Sequence, residues 1–188
     1  FQLAYCYVFN FGVERDIEEA IRRLQTLADR GNANAQELLG AIYRGWPGVD
    51  TNYEEAAKLI RAAAEQGNSD AKLDLAGIYG RGDGVEQDSE KAVYWVRQAA
   101  EEGLPRAQYM MGQSLMHGMG IEKNEAEAVK WFRTAAEAED EDAQYELGNC
   151  LRIGTGVDKN AEEAFEWMTR AANAGNEEAQ DALTEMYS

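Results

Sequence analysis

Ala143-Gln144-Tyr145-Glu146-Leu147-Gly148 is the stretch that decides the fold, because Ala107-Gln108-Tyr109-Met110-Met111-Gly112 repeats it at a distance of 36 residues. The same offset runs through the chain without an insertion. Alanines return at Ala35, Ala71, Ala107, Ala143 and Ala179, at Ala20, Ala56, Ala92, Ala128 and Ala164, and at Ala28, Ala64, Ala100, Ala136 and Ala172. A glycine returns at Gly12, Gly48, Gly84, Gly120 and Gly156, each followed by a β-branched residue: Val13, Val49, Val85, Ile121 and Val157. Columns of this regularity are the mark of stacked structural units rather than of one irregular domain.

Each unit reads as two helices. In the fifth, Ala143, Leu147, Cys150 and Leu151 share one helical face, and Gly154 and Gly156 then break the helix. Asn160 is a helix N-cap with Glu163 three positions on, a variant of the capping box, and Gly175 suits the left-handed C-terminal position. Asn176 then caps the next unit. Asp16, Asn52, Asp88 and Asn124 are the N-caps of the other second helices, followed by Glu19, Glu55, Lys91 and Glu127. The second helix buries Ala164, Trp167, Met168, Ala171 and Ala172, and the spacing of Trp95, Trp131 and Trp167 puts all three in core columns. At Glu139 a glycine column fails, so that turn needs another conformation or a strained left-handed residue.

Composition agrees with an all-α chain. Only two prolines interrupt 188 residues, and good helix formers dominate. Lysine and arginine number 18 against 35 aspartate and glutamate, so the net charge of -17 repels nucleic-acid backbones and anionic lipid surfaces. No stretch approaches the roughly 20 apolar residues of a membrane span, and no basic segment precedes the apolar start. The opening Phe1 suggests an excised or processed chain. Cys6 and Cys150 are too few for a disulfide scaffold and lack metal-site spacing. No metal or cofactor is expected.

Three motifs give the chain a family likeness. A-Q-Y-x-L-G at Ala143–Gly148, G-x-G-V at Gly154–Val157 and A-x-x-W-x-x-x-A-A at Ala164–Ala172 resemble Sel1-like repeats, a helix-turn-helix class related to tetratricopeptide repeats. The likeness covers essentially the whole chain. It weakens toward the N-terminus, where Asn10 and Trp46 replace the first loop glycine and Arg23 and Leu59 replace the tryptophan. It implies a right-handed α-α superhelix, a solenoid of 36-residue helix-turn-helix units, with residues 1–188 as one domain of about five repeats and a partial unit at each end. Leu183, Met186 and Tyr187 are then expected to expose apolar surface, through which the array continues or self-associates.

The resemblance also implies a protein-protein interaction scaffold or adaptor that holds a protein or peptide on a concave face lined by first helices. The alternative is a structural spacer or self-association module in a larger repeat protein. Helical rotation places Asp142, Tyr145, Asn149, Arg152 and Ile153 opposite the core of the fifth unit's first helix. One unit earlier the same stripe is Arg106, Tyr109, Gln113, Met116 and His117; before that it is Asp70, Leu73, Gly77, Gly80 and Arg81. Tyr109 with Gln113, and Tyr145 with Asn149, form a recurring aromatic-plus-amide pair suited to an extended segment. The tyrosines equally suit packing against the preceding unit. The net charge favours a basic or mixed-charge partner.

Catalysis is not expected. Some disulfide-rich relatives are linked to binding or hydrolysing β-lactam-type compounds, but this chain lacks their paired cysteines. It shows no serine-lysine pair, histidine triad or metal cluster. The acidic run Glu139-Asp140-Glu141-Asp142 lacks calcium-loop spacing. The Gly82-Asp83-Gly84 and Gly118-Met119-Gly120 loops follow helices and carry no phosphate-binding lysine, so both read as turns.

Overall fold

A computed structural model describes residues 1–10, 12 and 16–187, apart from the side chains of residues 185–187. Among the described residues there are eleven α-helices and no strand. They are α1 (Gln2–Phe9), α2 (Ile17–Ala28), α3 (Ala33–Tyr43), α4 (Tyr53–Glu65), α5 (Ser69–Arg81), α6 (Ser89–Glu101), α7 (Pro105–His117), α8 (Glu125–Glu137), α9 (Glu141–Ile153), α10 (Ala161–Ala174) and α11 (Glu177–Tyr187). Packing divides the chain into two compact units, Phe1–Trp95 and Val96–Ser188. Val13 and the side chains of Met186 and Tyr187 lie outside the described residues, and Leu183 is half-buried.

The second helices start where the sequence places their caps. The side chains of Asp16, Asn52, Asn124 and Asn160 accept from the backbone N–H three residues on, and Asp88 does the same from Lys91. Each such cap stabilises its helix by about 1 kcal/mol. The glutamate half of the box is altered. Glu127 and Glu163 accept from the cap's own Nδ2, each at 3.2 Å, while Glu19 turns to Arg22 and Arg23. Asn176 caps α11 through the Ala179 N–H, as the sequence predicts.

A backbone staple closes each pair. Asn52, Asp88, Asn124 and Asn160 donate their own N–H groups to the carbonyls of Tyr43, Tyr79, Leu115 and Leu151, at 2.8 to 2.9 Å. The bond fixes where the second helix leaves the first, and it satisfies a carbonyl that the helix end orphans.

The core of the first unit gathers Val8, Leu24, Leu39 and Ile42, with a second cluster around Ile60, Leu75, Ile78 and Tyr79. The second unit buries Met111, Leu115, Phe132, Leu147, Leu151 and Met168 completely or nearly so. Each large side chain contributes roughly 1.5–3 kcal/mol by leaving water. The glycine that ends the A-Q-Y-x-L-G motif lets the paired helices close. A Cβ on Gly148 would sit 2.8 Å from Met168 Cγ and 3.2 Å from the Ala164 carbonyl oxygen. Gly156 meets a harder limit: a Cβ there would stand 2.3 Å from the Glu125 carbonyl oxygen at the start of α8. This loop rests on the backbone of the preceding repeat, and no side chain fits between them.

Three departures from the repeat have local solutions. Glu139 takes the left-handed conformation, φ 67°, in the column that glycine otherwise fills. Asn10 does likewise at φ 61°, whereas at Trp46 the turn is rebuilt. There α3 ends on Arg44 in the right-handed region, and Gly45 supplies the positive φ. Of the three tryptophans assigned to core columns, Trp167 is buried, but Trp95 and Trp131 are half-buried. Trp131 borders an open cleft with Lys130 and Thr134.

Candidate functional site

In the second unit the first-helix stripe is a connected layer of side chains. Arg106 on α7 and Asp142 on α9 occupy the same column of adjacent repeats and form an ion pair. The Arg106 guanidinium also lies 4.8 Å from the centre of the Tyr109 ring. Tyr109 leans on Phe132 of α8, ring centres 6.0 Å apart, so its body belongs partly to the core while its hydroxyl reaches the stripe. Gln113 donates to that hydroxyl at 2.6 Å and to Glu146 Oε1 at 3.1 Å. Asn176 donates to Asp142 from the far side, at 3.2 Å. The layer thus ties α7 to α9 through polar groups.

Exposed ion pairs contribute about 0.2–1 kcal/mol, so Arg106 and Asp142 position more than they stabilise. Burial does more to the electrostatics. It pushes the Tyr109 hydroxyl up to about 12, with Asp142 and Glu146 adding to the rise. Glu146 is likewise raised, first by burial and then by Asp142 and Glu178, with His117 opposing. Glu146 escaped the sequence reading. Its signal is its place four residues after Asp142, one turn along the same face.

The remaining stripe residues divide by exposure. Tyr145 and Asn149 are half-buried and Arg152 is exposed; Arg152 donates to Asn149 Oδ1 at 2.7 Å. His117 is exposed at the end of α7. Gln113 was expected to offer its amide outward, yet both of its donor contacts run to neighbours within the protein. In the first unit, Asp70 and Arg81 of α5 are exposed and Leu73 is half-buried. Glu37 on α3, which the sequence did not single out, stands at about 7, pushed up by burial first and then by Asp74 and Asp70.

The glutamine of the A-Q column, buried at Gln36, Gln108 and Gln144 and exposed at Gln180, has a structural task. Gln36, Gln108, Gln144 and Gln180 donate to the carbonyls of Ala28, Ala100, Ala136 and Ala172, eight residues back, at 3.2 to 3.3 Å. Each closes the end of the preceding second helix. Gln36 Oε1 in turn accepts from Gln66 at 2.6 Å, but Ala138 and Ala174 stand at the corresponding positions, and Oε1 of Gln108 and of Gln144 is buried with no donor among the described residues.

No group of three or more His, Cys, Asp or Glu among the described residues is arranged to hold a metal ion, and none of the described helices is long and apolar enough to cross a membrane. Burial pushes the Cys150 thiol up to about 11, which leaves it protonated and a poor nucleophile.

Residues 1–32, 33–68, 69–104, 105–140 and 141–176 each match the family model of the Sel1 repeat. Among solved structures, a protective antigen of uropathogenic Escherichia coli strains is similar at 31% identity and a TM-score of 0.91, over 95% of this chain. The match takes in 38% of that antigen's length. A Sel1 repeat protein from Oxalobacter formigenes is 32% identical with a TM-score of 0.90, over 100% of this chain and 74% of its own. Cysteine-rich protein B of Helicobacter pylori shares the fold at 22% identity and a TM-score of 0.53, over 67% of this chain and 96% of its own. No curated protein matches the chain.

Proposed function

The chain belongs to the Sel1 repeat family, whose members are generally protein-interaction scaffolds, and from that premise we propose that it is a non-catalytic adaptor holding a basic or mixed-charge peptide segment on the first-helix stripe of its second unit. The observation that carries this reading is the layer formed by the Arg106–Asp142 pair, exposed at Arg106, and the half-buried Tyr109, Gln113 and Glu146, in which side chains on two helices fix one another. Pre-ordered groups lose less side-chain entropy on binding than free ones. Asp142 and Glu146 supply acceptors for a cationic side chain, while Tyr145 and Asn149 lie further along the same face. The net charge of -17 speeds arrival of a basic segment, and added salt slows it.

The test is capture of partners from a lysate by the immobilised chain, compared with a variant carrying Asp142→Ala, Tyr145→Ala and Asn149→Ala. Partner recovery should fall at least about tenfold, the effect of losing roughly 1.4 kcal/mol, with helicity by circular dichroism unchanged. Equal recovery by the two proteins would remove the stripe from consideration.

Self-association is a second reading, favoured by the exposed aromatic row of α1. Phe1, Tyr5 and Phe9 are each 38–40% exposed and stack along one side of the helix, with ring centres 6.2 and 4.3 Å apart. Light scattering over a concentration series decides it: mass rises with concentration if this face pairs with a second copy, and stays constant otherwise.

A further inference from the structure

The rebuilt turn at Trp46 borders an open cleft. Where the second unit fills its stripe with Gln113 and Asn149, the equivalent positions of the first unit are Ala41 and Gly77. The cleft, of ≈ 390 Å³, is lined by Ala41 and walled by the loop after α3 and by α5. Its polar lining is two arginines and two aspartates, and its apolar wall is Trp46 and Tyr53. Trp46 is braced edge-on by Phe9, ring centres 5.5 Å apart, so the indole is a fixed surface.

The arginines are only partly used. Arg44 gives one N–H, on Nη1, to Asp74, and Arg81 gives its Nε–H to Asp83 at 2.8 Å. Arg81 lies back along its own helix across Gly77, where an added Cβ would come within 3.2 Å of Nη1 and 3.3 Å of Nη2. Among the described residues, the outer nitrogens of Arg81 and the remaining N–H groups of Arg44 have no hydrogen-bond partner. A guanidinium presents five donors in a planar fork that matches a carboxylate in two-pronged geometry. Each aspartate holds one edge of its fork in place, and both arginines line the cleft.

We infer that this cleft is a second binding site, independent of the stripe on the other unit, and that it takes a carboxylate attached to an aromatic or large apolar body. The carboxylate bridges the open edges of Arg44 and Arg81, and the apolar body lies against Trp46 and Tyr53. The pattern of charge sets its kinetics apart from those of the basic-peptide face. The net charge of -17 repels an arriving carboxylate, so salt that screens the repulsion raises the association rate here and lowers it there.

The full chain, labelled for nuclear magnetic resonance, is titrated with N-acetylphenylalanine, with N-acetylaspartylphenylalaninamide and with uncharged N-acetylphenylalaninamide. The inference expects saturable shifts of the Arg44 and Arg81 Nε–H signals and of the Trp46 indole N–H with at least one carboxylate. It expects binding about tenfold or more weaker for the uncharged amide, as loss of a charged hydrogen bond requires. A response to the first probe alone assigns a chain-terminal carboxylate, and to the second alone a side-chain one; either upholds the site. Arg81→Gln should weaken binding about tenfold, and Arg81→Lys, which keeps the charge and loses the fork, should fall between. Circular dichroism checks that both variants fold. Equal shifts from amide and carboxylates, no saturable response from either carboxylate, or unchanged affinity in Arg81→Gln would overturn the inference.

Discussion

Replacing Glu139 by glycine should stabilise the protein, although it removes a side chain and adds none. Glu139 holds φ 67° in a column where Gly31, Gly67, Gly103 and Gly175 hold 80°, 89°, 91° and 110°. A side chain in the left-handed region costs about 1–2 kcal/mol, while the freedom that glycine adds to the unfolded chain costs about 0.4–1 kcal/mol. The difference leaves a gain of about 0.5–1 kcal/mol, which for a chain of this length is about 1–4 °C in Tm. The turn keeps its bonds, because Glu139 N–H to the Ala136 carbonyl and Asp140 N–H to the Ala135 carbonyl involve backbone alone, at 3.1 and 3.0 Å. A charge effect must be separated from the backbone effect, since Asp140, Glu141 and Asp142 follow directly. Glu139→Gln does this by removing the charge and keeping the Cβ. Thermal and urea unfolding of the two variants, followed by circular dichroism, should place Glu139→Gly above Glu139→Gln by at least about 0.5 kcal/mol. If the glutamine variant matches or exceeds the glycine variant, the backbone argument is wrong.

Other outcomes follow from buried polar groups. Ala174→Gln copies Gln66, which gives its amide to Gln36 Oε1 at 2.6 Å, and should supply the missing donor to Gln144. The expected gain is about 0.5–1.5 kcal/mol in urea unfolding, and it should vanish when Gln144 is itself changed to alanine. Glu37 has a pKa of about 7 in the folded protein, above that of an unfolded glutamate, so the native state binds the extra proton. Stability should therefore fall as pH rises from about 4.5 to about 7, with the full penalty present above that window. Glu37→Gln should be more stable than the parent at pH 8 and lose that advantage at pH 5; an advantage of equal size at both pH values would refute the assignment to Glu37.

Most of the helical architecture was legible because it rests on residue types that recur at one spacing. Caps at Asp16, Asn52, Asp88, Asn124 and Asn160, glycine at the turns and apolar residues at helical intervals each act through local backbone chemistry, and local chemistry is written in local sequence. Glu139 is a case in point, since the missing glycine marked a turn with two possible solutions, and the structure takes the left-handed one. The side-chain layer was less legible. That Arg106 and Asp142 share a column with opposite charges hints at their pairing, and spacing puts Glu146 one turn from Asp142, but the burial of Glu146 and its contact with Gln113 on another helix are not encoded by periodicity. The fate of Gln113 was hidden for the same reason: an amide with no core role in its own helix found its partners on itself and on the next. The cleft beside Trp46 was invisible beyond the broken motif, because it borders a turn that is rebuilt.

The seating of Gly156 on the Glu125 backbone has a consequence for how such a protein diversifies. A fit between main chains sets the pitch from one module to the next without consulting the surface residues, so those residues are free to change chemistry while the scaffold's dimensions hold. Leucine and glycine on one module and tyrosine and glutamine on another are then alternative facings on the same frame. A lineage can exchange its binding specificity module by module, provided that no substitution puts a carbon where the two backbones touch.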